Sequence, residues 1–171
     1  DVMCQMTSSP PLSVSAIGVR LTEAIPESNY NYGQLQIRFK DGSVGWYEAG
    51  WGPMVSETAH FIKDVFGPKG SVSLLQEEQA SDSVEGHTQT DIMKIHKAGI
   101  DAKNQFIDPD HIKRFDRAPS HQELCDFEQD YFYRAIIEDQ DLTSHIQDAI
   151  SSLEIALACD RAVTSGKTVF L

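Results

Sequence analysis

The sequence has few basic residues and no long apolar run. Its 14 lysines and arginines are outnumbered by 26 aspartates and glutamates, which gives a net charge of −12. An acidic chain of this kind is repelled on average by a nucleic-acid duplex or an anionic membrane, so we expect neither as a partner. No apolar stretch approaches the roughly 20 residues that a membrane-spanning helix needs. The opening DVMCQMTSSPP lacks the basic start and apolar centre of a signal peptide.

Cysteine is also scarce, and the three cysteines (Cys4, Cys125 and Cys159) lie far apart without metal-binding spacing. Because three thiols cannot all pair, we expect a protein of the reducing cytoplasm. The six histidines show no helix-face or zinc-finger spacing, and no metal is predicted. The densest group of possible metal ligands is Asp108-Pro109-Asp110-His111, which we interpret as an Asx-type turn beside a helix start. A G-x-G-x-x-G fingerprint is absent, so the chain is expected to hold no dinucleotide cofactor of its own.

The composition that remains is that of an ordinary globular protein. The 171 residues are 40% hydrophobic and 23% charged, which is enough for one domain with its own core. The sequence opens on Asp1 rather than on an initiator methionine. We therefore expect residues 1–171 to be a single domain of a longer protein.

Two consecutive strand–turn–strand units are predicted between residues 34 and 75. Apolar and polar residues alternate with a period of two, as a half-buried strand requires, and Asp41-Gly42 suits a tight hairpin turn. Gly67-Pro68-Lys69-Gly70 is also typical of a turn rather than of a phosphate-binding loop, because it lacks the Walker spacing. The predicted strands are Gln34–Phe39, Val44–Gly50, Thr58–Phe66 and Ser71–Leu75.

The flanking regions add helices and further strands. Residues 1–7 have helical spacing, and strands are predicted at Leu12–Leu21, Thr90–Lys97 and Thr168–Leu171. The alternation shifts between Ala16 and Ile17, which indicates either a bulge near Gly18 or burial of both faces. Gln76–Gln89 is interpreted as a hairpin excursion or a poorly ordered segment, and Ala98–Pro119 as an irregular covering segment.

Two helices are predicted near the end of the chain. Ser120 and Glu123 form a capping box at the start of the first, and Gly166 suits the left-handed cap of the second, which begins near Thr143. The expected apolar stripe of the first helix is Leu124, Phe127, Tyr131, Phe132, Ala135 and Ile136. The expected buried stripe of the second is Ile146, Ala149, Ile150, Leu153, Ala156 and Leu157.

These elements predict an α+β fold: a large, mostly antiparallel sheet of about six strands, with helices on one face and an open face for subunit association. Two helices are not expected to cover all of the apolar side chains of the sheet, such as Leu35, Ile37 and Phe39. We therefore predict a homo-oligomer that forms through the open face.

One cluster suits a small polar ligand. Trp46, Tyr47, Glu48 and Trp51 place aromatic rings and a carboxylate among glycines, a combination that favours a sugar or another polyol. The alternative is that one aromatic ring packs beneath the helices and the other seals an interface. No Ser-His-Asp or Cys-His arrangement is apparent, and no catalytic residue is predicted from spacing.

Two segments carry a family resemblance. GSVGWYEAGWGPMVSETAHFIKDVFGPKGSVSL resembles the C-terminal domain of the Gfo/Idh/MocA oxidoreductases, and DLTSHIQDAISSLEIALACDRAVTSGKTVFL is similar to the closing helix and strand of that domain. The resemblance implies an N-terminal Rossmann domain that binds NAD or NADP, and a second domain whose open sheet face makes the subunit interface. It also implies oxidation of a sugar, an inositol or a related polyol by hydride transfer.

This chain lacks the catalytic parts of the family pattern. The Rossmann fingerprint and the Glu-Lys-Pro lysine are absent, and Asp1 matches at best the acidic residue that follows the family's Asp-x-x-x-His segment. No catalytic residue therefore carries over, and the chain alone is expected to be inactive. The alternatives are a non-catalytic sheet module for binding or dimerisation, and a hydrolase that uses Glu48 with a histidine.

Overall fold

The computed structural model describes residues 2–52, 63–75 and 90–171. They form two compact units, Asp1–Val55 with Ile137–Leu171, and Ser56–Ile136. The first unit contains α1 (Val2–Thr7), β1 (Pro11–Val19), β2 (Tyr32–Phe39), β3 (Val44–Gly50), α3 (Thr143–Ser165) and β8 (Val169–Phe170). The second contains β4 (Lys63–Gly67), β5 (Gly70–Leu75), β6 (Ile92–Lys97), β7 (His111–Arg114) and α2 (His121–Ile137), except for the last residue of that helix.

The first sheet has the strand order β3-β2-β1-β8, and all its pairs are antiparallel. The predicted hairpin turn at Asp41-Gly42 joins β2 to β3, with Gly42 at φ 90°. The carboxylate of Asp41 accepts hydrogen bonds from the backbone N–H (2.9 Å) and the hydroxyl (2.6 Å) of Ser43. These two hydrogen bonds hold the pKa of Asp41 below its usual value. The turn sets the register by which Leu35 pairs with Tyr47 and Gln34 with Glu48.

Side chains on one face of the first sheet form the core. Val14 pairs with Ile37, which pairs with Gly45, so all three positions share a face. A Cβ atom at Gly45 would lie 2.5 Å from the Met3 sulfur, so a larger residue there would require the Met3 side chain to move. The core cluster consists of Cys4, Val14, Ile37, Phe39, Ile155, Ala158 and Cys159, from α1, β1, β2 and α3.

Two expectations about this sheet were wrong. Ile37 and Phe39 are buried in the core instead of facing a partner subunit. The register of β1 is regular through Gly18, and the irregularity lies between Pro11 and Ser13. The shift at Ile17 has a simpler origin: Ile17 is an exposed apolar residue on the opposite face of the strand.

The buried face of α3 also differs from the predicted stripe. Ile155, Ala158, Cys159 and Ala162 are buried, whereas Ile146, Ile150, Leu153 and Leu157 are exposed. Apolar residues occupy both sides of this helix, and the predicted stripe lies on the side that is exposed. The sheet packs against the stripe of α3 that contains the small residues Ala158 and Ala162. Small side chains let a helix approach the strands closely.

The second sheet has the order β4-β5-β6-β7, again antiparallel. The predicted turn at residues 67–70 joins β4 to β5. Gly70 (φ 141°) is required there, since a Cβ atom would lie 1.9 Å from the carbonyl oxygen of His96. Strand β7 falls within the segment that we expected to be irregular. Its four residues are all exposed, and so short an alternation gives no clear signal.

The helix ends follow the predicted capping. The backbone N–H of Ser120 donates to Glu123 (2.9 Å) and the backbone N–H of Glu123 donates to the Ser120 hydroxyl (3.3 Å), which together make a capping box. At the C-terminal end of α3, Gly166 has φ 64° and its N–H donates to the carbonyl of Ala162 (2.8 Å). The apolar stripe predicted for α2 is exposed apart from Ala135.

The α+β class and the antiparallel pairing are thus confirmed. The strands of the described residues fall into two four-stranded sheets, where one sheet of about six strands was expected. Periodicity identifies strands and hairpins, but it does not show which hairpins share an edge. Residues 58–62 of the predicted third strand and the Gln76–Gln89 segment lie outside the described residues. Of the helices in the described part of the chain, none has both the length and the apolar character to cross a membrane.

Candidate functional site

The side of the first sheet opposite α3, here called the outer face, is partly apolar and exposed. The strand register places its residues, because paired residues on neighbouring strands point to the same side. Ile17 pairs with Gln34, which pairs with Glu48. The next row joins Ser15, Gln36 and Trp46. The main residues of the outer face are Ile17, Val19, Tyr32, Gln34, Gln36, Trp46 and Glu48.

The four residues predicted to contact a ligand do not all lie on this face. Trp46 and Glu48 are there, two positions apart on β3. Tyr47 lies on the α3 side, because it pairs with Leu35. Trp51 follows the end of β3, with its side chain exposed and its backbone N–H bonded to the carbonyl of Asn31 (2.9 Å). The structure therefore brings Trp46 and Glu48 together and places Tyr47 on the opposite face.

A residue that sequence reasoning missed completes the outer face. The Tyr32 hydroxyl donates a hydrogen bond of 2.7 Å to Glu48 Oε1, and this bond raises the pKa of Tyr32 above its ordinary value. The hydrogen bond thereby holds the carboxylate of Glu48 on the same face as Trp46. The signal was present in the sequence: the Asp41-Gly42 hairpin sets the register, which puts Tyr32 diagonally opposite Glu48.

A second polar cluster lies on β6 and the loop before β7. His96 Nδ1 and Asp110 Oδ1 are 2.8 Å apart, and Lys94 Nζ lies 3.8 Å from Asp110 Oδ2. The ring of Phe106 contacts His96 edge-on, with centroids 4.7 Å apart. The hydrogen bond from His96, together with the charge of Lys94, lowers the pKa of Asp110. These contacts hold the loop to the strand.

The Asp108–His111 segment is divided between two sides of β6. Asp110 bonds to His96, whereas Asp108, Pro109 and His111 line a cavity of about 370 Å³ with Ile95 and Lys97. The segment leads into strand β7, so the helix start that we expected beside it was wrong. Among the described residues, no group of three or more potential ligands is arranged to bind a metal ion.

Hydrolase chemistry finds no support in the described residues. Ser71 is the cross-strand partner of His96, but no hydrogen bond joins the two side chains, as a Ser-His-Asp relay would need. Glu48 bonds to Tyr32 and to no histidine in the part of the chain that the structure describes.

The first sheet thus carries α3 on one face and leaves the outer face exposed. The sequence profile of the Gfo/Idh/MocA oxidoreductase family, C-terminal α/β domain, matches residues 7–171. The chain belongs to this family, and the resemblance noted in the sequence is confirmed.

Solved structures agree at the level of the fold. Aldose-aldose oxidoreductase from Caulobacter crescentus, complexed with glycerol, matches with a TM-score of 0.66 and 18% identity over 99% of this chain and 44% of that chain. An oxidoreductase from Agrobacterium radiobacter, in complex with NAD+, L-tartaric acid and magnesium, matches with a TM-score of 0.60 and 11% identity over 99% of this chain and 46% of that one.

GenD2 from gentamicin A biosynthesis, in complex with NAD, gives a TM-score of 0.53 and 14% identity over 97% of this chain and 43% of that one. The chain thus spans less than half the length of these structures. A comparison with curated proteins gives no match.

Proposed function

We propose that residues 1–171 are the C-terminal, substrate-side and assembly domain of a longer two-domain oxidoreductase of the cytoplasm. The full protein oxidises a hydroxyl group of a sugar, an inositol or a related polyol by hydride transfer to NAD or NADP. The observation that carries this proposal is a family match over residues 7–171 in a chain that spans 44% of its relative. Two of the similar structures hold NAD, which supports the choice of cofactor.

The described residues do not fit a dinucleotide. A dinucleotide pyrophosphate is bound where a parallel strand leads through a glycine-rich turn into a helix. Every strand pair in the described part of this chain is antiparallel. We therefore assign the cofactor and the catalytic lysine to an N-terminal Rossmann domain, and this chain alone has no oxidoreductase activity.

The candidate ligand residues divide between two roles. Trp46 and Glu48 lie on the outer face, where an aromatic ring and a fixed carboxylate suit either a second subunit or a polyol. Because the outer face also exposes Ile17 and Val19, association with a second copy of the chain is the role we favour for it. Tyr47 and Trp51 lie elsewhere and remain candidates for substrate contact.

The activity is tested with the full-length protein and a panel of sugars, inositols and other polyols, by following reduction of NAD and NADP. We expect turnover with at least one polyol, and none from the 171-residue chain. Failure of the full-length protein with every polyol and both cofactors would support a non-catalytic module. Turnover by the 171-residue chain would contradict the assignment of the cofactor to another domain.

The outer face is tested with a matched pair of variants. Trp46 and Tyr47 are neighbours with exposed fractions of 53% and 54%, but they lie on opposite faces. Trp46→Ser should weaken self-association by at least about tenfold, since a buried aromatic residue at an interface contributes about 2 kcal/mol. Tyr47→Ser should leave the molar mass from light scattering unchanged. Equal effects of the two substitutions would exclude the outer face as the interface.

A further inference from the structure

The sequence contains one Asp-Gly pair, Asp41-Gly42, and no Asn-Gly pair. An aspartate that precedes glycine is chemically prone to isomerisation, because glycine has no side chain to hinder its own backbone nitrogen. That nitrogen attacks the carboxyl carbon of the aspartate side chain, water leaves, and a cyclic succinimide forms. Water then adds to either carbonyl of the succinimide. One product is aspartate again, and the other is isoaspartate, whose main chain runs through the former side chain.

The hairpin between β2 and β3 engages both groups that would react. The backbone N–H of Gly42 donates a hydrogen bond of 3.0 Å to the carbonyl of Phe39. The Asp41 carboxylate is bonded to the residue that follows Gly42. Its Oδ1 accepts hydrogen bonds from the backbone N–H (2.9 Å) and the hydroxyl (2.6 Å) of Ser43. The nucleophile and the carboxyl group are therefore each held by another partner.

The rest of the turn is also held by hydrogen bonds. Three further backbone N–H groups donate: Phe39 to the carbonyl of Ser43 (3.0 Å), Lys40 to the carbonyl of Pro10 (3.0 Å) and Asp41 to the hydroxyl of Ser9 (3.1 Å). All of these residues belong to the first compact unit. The geometry of the turn thus rests on contacts within that unit.

We propose, independently of the proposed function, that the hydroxyl of Ser43 protects the Asp41-Gly42 bond against isomerisation in the folded protein. Succinimide formation needs a protonated carboxyl group, because one of its oxygens leaves as water, and it needs that group turned towards the Gly42 nitrogen. The hydrogen bonds from Ser43 favour the ionised carboxylate and hold the pKa of Asp41 below its usual value. They also direct the carboxylate to Ser43 instead of Gly42.

Isomerisation would alter the sheet as well as the turn. Isoaspartate adds one carbon atom to the main chain of the turn, and the length of a hairpin loop fixes the register of its two strands. That register pairs Gln36 with Trp46 and Gln34 with Glu48. The arrangement of the outer face therefore depends on an unmodified turn.

Uptake of labelled oxygen from water tests this protection. In water labelled with heavy oxygen, each succinimide that hydrolyses leaves one solvent oxygen at residue 41, and mass spectrometry of the peptide detects it. The protein is incubated folded and, in parallel, unfolded in urea. We expect uptake at Asp41 to be at least about tenfold slower in the folded protein, because the reaction requires the hairpin to open. Equal rates in the two states overturn the proposal.

Variants of Ser43 separate the hydroxyl from the turn as a whole. Ser43→Ala should speed uptake in the folded protein by about fivefold, because a hydrogen bond to the carboxylate is lost, and should leave uptake in urea unchanged. Ser43→Thr retains a hydroxyl and should keep the parent rate. Ser28→Ala is the control, since it removes a hydroxyl that bonds to Asn29 in another loop of the same unit. Unchanged uptake in Ser43→Ala, or equal acceleration in Ser43→Thr, overturns the proposal.

Discussion

The side-chain amide of Asn31 donates a hydrogen bond of 2.7 Å to the backbone carbonyl of Trp51. The carbonyl oxygen of the same side chain accepts one of 2.8 Å from the backbone N–H of Leu21. Asn31 is 1% exposed, so a single buried amide joins the end of β1, the start of β2 and the end of β3. It thereby fixes the backbone at Trp51, one of the candidate ligand residues.

Asn31→Ala should lower the free energy of unfolding by about 2 kcal/mol, because backbone groups at two strand ends lose their partners in a largely dry site. Chemical denaturation measures the change. Asn29→Ala, at an exposed position two residues earlier, is the control and should stay within about 0.5 kcal/mol of the parent. A similar loss in both variants would show that the loop, and not the buried amide, is responsible.

The orientation of α3 is tested with two aliphatic residues. Ile155 is 8% exposed against the sheet and Leu153 is 60% exposed. Ile155→Ala should lower the free energy of unfolding by about 3 kcal/mol, because it leaves a cavity in the core. Leu153→Ala should change it by about 0.5 kcal/mol or less in the 171-residue chain. Thermal or chemical denaturation measures both changes. A larger loss of stability in Leu153→Ala than in Ile155→Ala would show that the stripe predicted from the sequence is the buried one.

The hairpin between β4 and β5 depends on Gly70. Gly70→Ala should destabilise the protein by about 3 kcal/mol, because the new methyl group would collide with the His96 carbonyl and the φ of 141° disfavours any side chain. Gly67→Ala is the control, since its methyl group would meet nothing closer than 4.0 Å. Hydrogen exchange across β5 and β6 should rise only in the first variant. Unchanged exchange in Gly70→Ala would rule out this packing.

The phenol of Tyr30 introduces a dependence of stability on pH. Its hydroxyl donates to Asp160 Oδ1 at 2.5 Å, and this bond, followed by burial and the negative charge, raises its pKa to about 12. Because the folded protein holds this proton more tightly than the unfolded chain, the stabilisation is complete below about pH 10 and is lost as the pH rises to about 12.

Tyr30→Phe should remove this contribution, so its stability should fall less than that of the parent as the pH rises from about 9 to about 11. Ultraviolet titration of phenolate absorbance should also show the loss of a late-ionising tyrosine. Asp160→Ala is the control variant, and in it the ionisation of Tyr30 should move back towards about pH 10. A parent protein in which every tyrosine ionises near that pH would contradict the contact.

Local features of the fold were readable in the sequence because each depends on neighbouring residues. Asp41-Gly42 adopts the predicted hairpin, Ser120 and Glu123 form the predicted capping box, and Gly166 ends α3 in the left-handed conformation. The motif around Trp46 carries the family resemblance that the sequence profile confirms. Of the candidate site, the sequence supplied Trp46 and Glu48 but not Tyr32, whose role needed the strand register.

Most of the strands, the hairpin turns, two helix caps and the family could be predicted from the sequence, since period, turn chemistry and motif are properties of adjacent residues, but β7 could not. The packing of the helix on the sheet buries the α3 stripe that contains Ile155 and covers Ile37 while it leaves Ile17 exposed, and local patterning does not show this. The physical reason is that both faces of these elements are apolar. Local patterning therefore does not show which face is buried. For α3, the buried face is the one whose small residues let the helix and the sheet approach closely.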